Sequence, residues 1–446
     1  MAMADITSAR ISPDAVDSLY KSKAAKRLAI GGWALFDFAM TIFSLNIISR
    51  YFALWVKEGK GQEDIVYSLT FSASLFVVAI SSPALGVLSD RFGRRLPSLF
   101  GLTVIICVSL IIIGLTDNLA IGLILFVIAN YAYQSTQVFF NALLFYLSTP
   151  ETRGKIGGIG QAIGYLGALG GLFMVAPFVQ KSADGKTLHI TAFVPTAIIV
   201  FIFALPIFLL VREPKVVVTD KRSTGQIIRD SFTQTIRSLK RASKLPNLFW
   251  FLMGRLFYAD AANTVVAFMA VYATQAIGLS DDEVTIVLAL GIVFSVFGAF
   301  GFGFLADRLG PKRTLYIVLS CWLVVMLAAI LTHDKVIFYP IAALVGVSLG
   351  GLRTTDRTFL ITVAPPAMLG EAFGLFGLIG EFSSIIGPII WGLITYSLSE
   401  ERTSFAPDFK YRVAVASLIV LLAIGALLLR KARDERGRDE DLQKIS

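Results

Sequence analysis

Long apolar runs separated by short polar breaks recur along nearly the whole chain, and the pattern predicts helices rather than strands. Each run is about the 20 residues a helix needs to cross the hydrocarbon core of a bilayer. A hydropathy reading places twelve spans at 28–56, 65–88, 96–116, 119–148, 155–179, 190–211, 246–277, 284–305, 313–332, 336–364, 370–398 and 410–430. The expected class is an all-α polytopic membrane protein. One long hydrophilic connector, 212–245, divides an N-terminal bundle (28–211) from a C-terminal bundle (246–430). Within it "GQIIRDSFTQTIRSLKRA" has the period of an amphipathic helix lying at the membrane surface. Residues 1–27 and 431–446 flank the bundles as polar segments.

The two halves repeat. "GVLSDRFGRR" (86–95) returns as "GFLADRLGPK" (303–312), and "DFAMT" (37–41) returns as "DAANT" (260–264). "GKIGGIGQAIGYLGALGG" (154–171) is echoed by "GEAFGLFGLIGEFSSIIG" (370–387), which at a shift of 216 aligns four glycines and sets Tyr165 opposite Glu381. Parallel repeats of six helices are a transporter architecture, with the ligand site between the repeats near the midplane.

Composition agrees with this reading: 56% of residues are hydrophobic and only 16% charged, far fewer charges than a soluble domain of this length carries. The net charge of +9 does not point to nucleic acid, because the basic residues gather in alternate loops. By that asymmetry both termini and the connector are expected in the cytoplasm, and the protein is expected in a plasma (bacterial inner) membrane. Cys107 and Cys321 fall inside apolar runs and His189 and His333 in outer loops, so neither a disulfide framework nor a metal or other cofactor site is expected. No nucleophile–base motif accompanies the spans, so an enzyme is not expected, and the chain is read as a monomer.

The loop "GVLSDRFGRR" and its echo resemble the signature of the major facilitator superfamily, and the resemblance covers all twelve spans. "WALFDFAMTIFS", "RGKIGGIGQAIGYLG", "FYADAANT" and "GEAFGLFGLIGEFSSIIGPIIWG" resemble more narrowly the autophagy-related vacuolar effluxer branch and its bacterial relatives. Glu381 is a departure, since that branch is expected to carry lysine there. The resemblance implies alternating access and export of an amino-acid-like metabolite. It also implies that Gly86, Asp90 and Arg91, with Gly303, Asp307 and Arg308, form a charged latch on the cytoplasmic side.

Ionisable residues inside the spans are the candidates for substrate and proton contact, because each costs about 2.5–3.5 kcal/mol to insert. Asp37 and Asp260 occupy matching places in the repeats and are expected to face the central cavity. With Glu381 they are carboxylates suited to reversible protonation during a transport cycle. In the tenth span, Arg353, Asp356 and Arg357 stand at i, i+3 and i+4 and are read as one face, with Asp356, Glu381 or Asp260 as partners for the arginines. The fourth span offers Gln137 and Asn141 at the matching positions. Arg255 is read as a gate or interface residue. Together these residues point to a small polar or zwitterionic substrate, such as an amino acid, carried with protons through the lipid bilayer. A drug or siderophore exporter on the same fold, or a non-transporting receptor or assembly factor, is the rival reading.

Overall fold

The computed structural model describes residues 20, 22–91, 95–116, 118–148, 152–183, 187–213, 224–365, 368–399, 402 and 405–432. The expected segments 1–19 and 433–446, and the connector stretch 214–223, lie outside the described residues. Twelve helices are long and apolar enough to cross a membrane, as the hydropathy pattern predicts. The first span begins as the helix Lys23–Phe43, and the other spans of the first bundle are Asp64–Arg91, Leu96–Leu115, Leu119–Leu147, Arg153–Val175 and Phe193–Leu210. In the second bundle they are Pro246–Gln275, Asp281–Leu309, Pro311–Leu331, Lys335–Val363, the pair Leu369–Phe382 and Ile386–Ser397, and Phe409–Leu429. The helix Thr224–Ala242 crosses one end of the bundles, which marks that end as the linker side. Its buried Ser231, Ser238 and Ala242 recur at helical spacing and turn toward the protein.

Two spans depart from a plain α-helix. The first widens into π-helical turns at Ser44–Tyr51 and again at Trp55–Gly59, a local geometry that often marks functional positions. The eleventh is broken between Phe382 and Ile386.

Close approaches between backbones hold each bundle together, since lipid supplies no hydrophobic drive for helix association. In the first bundle, Gly160, Gly164, Gly167 and Gly171 of the fifth span pack on Trp33, Asp37, Phe38 and Ile42 of the first. The eleventh span differs from its repeat mate. Gly374 and Gly377 face open space, and close packing begins only at Gly380 and Gly387. The tightest helix pair lies elsewhere, where Gly346 and Gly350 of the tenth span press on the backbone of Gly291 and Ser295 in the eighth.

Polar ties between the bundles gather at the end opposite the linker. Arg50 Nη2 donates to the main-chain oxygen of Asp281 (2.8 Å), and Gln275 Nε2 donates to Glu58 Oε1 (2.9 Å). Thr187 Oγ1 donates to the Asp281 carboxylate. His189, expected in an outer loop, stands in the short turn His189–Ala192 at this end and is buried, with its Nε2 2.9 Å from Glu58 Oε2.

Candidate functional site

Between the bundles lies a cavity of about 230 Å³. Ser44 and Ser49 of the π-helical segment, Tyr133 and Gln134 of the fourth span, and Asn263 of the seventh line one part of it. Arg353 of the tenth span, with Glu381 and Ser384 at the break in the eleventh, lines another part, and Phe71, Leu75, Val266 and Leu349 are among the apolar residues between them. The wide turns and the break expose backbone and polar side chains, tolerable at membrane depth only where they face a wet cavity or protein. Asn263 Nδ2 donates to Ser384 Oγ (2.9 Å), fixing the seventh span against the break.

Arg353 and Glu381 therefore share one cavity, as expected, yet they form no ion pair with each other. Asp37 of the first bundle lies within the electrostatic reach of Arg353, and Tyr133 sits in the fields of Asp37, Arg353 and Glu381 together. These four side chains span the boundary between the halves.

Asp356 departs from expectation. It is buried and turned away from both neighbouring arginines of its helix. Arg255 Nε lies 3.0 Å from Asp356 Oδ2, and Tyr258 O–H donates to Oδ1 (2.7 Å). Arg255 also donates from Nη1 to the main-chain oxygen of Phe376 (2.9 Å), and its guanidinium stacks 3.6 Å from that ring's centre. Arg255 thus ties the seventh, tenth and eleventh spans together, in keeping with an interface residue. The shared face read from spacing fails because successive residues turn by about 100° around a helix. The boundary between core and cavity falls between Asp356 and its neighbours.

Asp260 is the second departure. It is fully buried and does not line the cavity. Its Oδ2 accepts from the Gly387 N–H (2.7 Å), satisfying one of the donors left open where the second half of the eleventh span begins. Asp37 lies against Gly164, and Asp260 against Gly387. Both contacts obey a single shift of 223 (260 − 37 and 387 − 164), not the 216 read from the glycine pattern. On this register Glu381 matches Gly158, not Tyr165. Against its neighbour the broken span therefore keeps the register of the fifth.

The fourth span presents Gln134 to the cavity; Gln137 is half-buried and Asn141 exposed nearer the linker side. Arg357 is exposed one turn nearer the linker side than Arg353, in the field of Tyr165 from the fifth span. The latch residues are only partly visible. The second span runs through Gly86, Asp90 and Arg91, whose side chains lie outside the described set. In the second half Asp307 is exposed, Arg308 lies 4.1 Å over the Phe304 ring, and Gly303 faces Thr354 of the tenth span. Sequence reading missed Ser44, Ser49, Tyr133, Gln134, Asn263 and Ser384. The polar run "NYAYQSTQ" at 130–137 inside an apolar helix was the available signal for the fourth span.

Two six-helix bundles around a central polar cavity define a multi-pass transporter of the major facilitator type. The solved structure of a bacterial homolog of the human lysosomal transporter Spinster, inward-facing and unoccupied, has the same fold (TM-score 0.72, 16% identity, covering 93% of this chain and 98% of that one). So does a structure of the nucleoside transporter NupG (TM-score 0.71, 14% identity, covering 90% and 99%). Residues 62–440 match the family model described as vacuole effluxer Atg22 like, and the chain belongs to that family. An MFS-type transporter of Bacillus subtilis, YxiO, is 22% identical, covering 92% of this chain and 96% of that protein. Autophagy-related protein 22 of Eremothecium gossypii is 23% identical, covering 92% and 94%.

Proposed function

We propose that this transporter moves a small polar or zwitterionic metabolite, amino-acid-like in charge, by alternating access coupled to protons. One observation carries the reading: Arg353 and Glu381 line a single cavity between the bundles without neutralising each other. A guanidinium is the natural partner of a carboxylate and a carboxylate the natural partner of an ammonium, so a zwitterion satisfies both. An aromatic, uncharged cavity would favour a lipophilic drug; the charged and amide lining here favours the polar ligand. Asp37, across the bundle boundary from Arg353, is the proposed proton carrier, because its charge acts on the guanidinium that would hold the substrate carboxylate.

The linker side is assigned to the cytoplasm from the distribution of basic loops, with the protein in a plasma membrane. Export fits the effluxer description of the family. The polar ties at the far end and the exposed Asn141 and Arg357 near the linker end fit a state open to the cytoplasm.

A thermal-shift screen of the purified protein against the twenty amino acids tests the substrate class, since a ligand that binds the native state raises apparent stability. Stabilisation by one or more amino acids, lost in Glu381→Gln, supports the reading. Stabilisation only by lipophilic cations would replace it with the drug-exporter alternative.

A further inference from the structure

Arg353 and Arg357 stand one helical turn apart and both are exposed; Arg353 lines the cavity and Arg357 lies one turn nearer the linker side. The acid between them, Asp356, is committed to Arg255 and Tyr258. Arg357 lies in the fields of Arg353, Tyr165, Arg255 and Asp356, and Asp37 lies in the field of Arg353. Among the described residues, no carboxylate lies within ion-pair distance of either guanidinium. Like charges at i, i+4 destabilise a helix, and inside a membrane the cost rises. A chain that keeps two such cations unpaired, one on the cavity wall and one a turn beyond it, breaks a local rule, and such breaks are expected where function compensates.

We propose that Arg353 and Arg357 form a paired site for a substrate carrying two acidic groups, an acidic amino acid or a related dicarboxylate. This rests on the transport reading above and narrows its substrate class. Arg353 takes the carboxylate nearer Glu381, which receives the ammonium group, and Arg357 takes the second carboxylate toward the linker side. Neutral Gln137 and Asn141 stand at the matching positions of the fourth span, so the acidic groups bind the second bundle and not the first.

The test uses the full-length protein and isothermal titration with L-glutamate, glutarate, L-glutamine and butyrate, with counterflow of the amino acids in proteoliposomes. Wild type is expected to bind glutamate more tightly than glutamine. Arg357→Gln is expected to weaken glutamate about tenfold or more, the loss that goes with one charged hydrogen bond, while leaving glutamine unchanged. Arg353→Gln is expected to weaken both. Arg357→Lys, which keeps the charge, is expected to recover part of the glutamate affinity. Equal wild-type affinity for glutamate and glutamine overturns the proposal, as does an equal loss of both in Arg357→Gln. Failure of glutamate and glutarate to bind also overturns it, and counterflow of glutamine in the same vesicles then leaves the transport reading standing.

Discussion

Arg255 and Asp356, 101 residues apart in sequence, meet at 3.0 Å in the protein-facing side of the second bundle. The pair removes Asp356 from the cavity and leaves Arg353 as a cation on its wall, while Arg255 is the cation whose field reaches Glu381. Tyr258 and the Phe376 ring complete the enclosure. A tie among three spans is thereby made at a charged core, and the cavity keeps a cation for its ligand.

Breaking this tie from one side strands a buried charge, which typically costs about 3–5 kcal/mol. Arg255→Ala is expected to lower the unfolding temperature sharply or abolish folding. Arg255→Met combined with Asp356→Leu is expected to recover most of the loss. Thermal unfolding of the detergent-solubilised variants reads both.

Asp260 caps a half-helix, so its side-chain acceptor matters to stability apart from any charge. Asp260→Asn, which retains an accepting oxygen for the Gly387 N–H, is expected to keep the unfolding temperature. Asp260→Ala is expected to lose about 0.5–2 kcal/mol, the usual worth of such a cap. Proton-driven uptake into proteoliposomes separates the remaining question: uptake by Asp260→Asn at the wild-type rate assigns the residue to structure alone.

The twelve spans and the twofold repeat were legible because bilayer thickness imposes a length and a polarity on every crossing helix. Arg353 and Glu381 were legible as costly charges, and the structure brings both to one cavity. What spacing did not reveal was pairing across the fold. The partner of Asp356 sits on another span, and helical proximity to Arg353 and Arg357 was a poor guide to it. The break at 383–385 was hidden because Ser383 and Ser384 are small and uncharged. Asp260 is the twin of Asp37 in its glycine contact, and the break turns that contact into a cap at the start of a half-helix.

Arg50 joins the bundles at the far end through the main-chain oxygen of Asp281, with its guanidinium otherwise enclosed. A hydrogen bond from a charged donor contributes about 1.5–3 kcal/mol, so its removal is expected to shift the balance of the two states about tenfold or more toward opening there. Electron–electron distance measurements between spin labels at the far ends of the first and eighth spans check this. Arg50→Ala is expected to populate longer distances. An unaltered distribution would exclude Arg50 as a closing contact.

The central claim is that substrate crosses through the cavity shared by Arg353 and Glu381. Counterflow of radiolabelled L-glutamate in proteoliposomes, comparing wild type with Arg353→Gln and Glu381→Gln at matched thermal stability, tests it most directly. The account predicts exchange by wild type and a loss of about tenfold or more in each variant, as expected when a charged hydrogen bond to the ligand is removed. Exchange by both stable variants at the wild-type rate would contradict it.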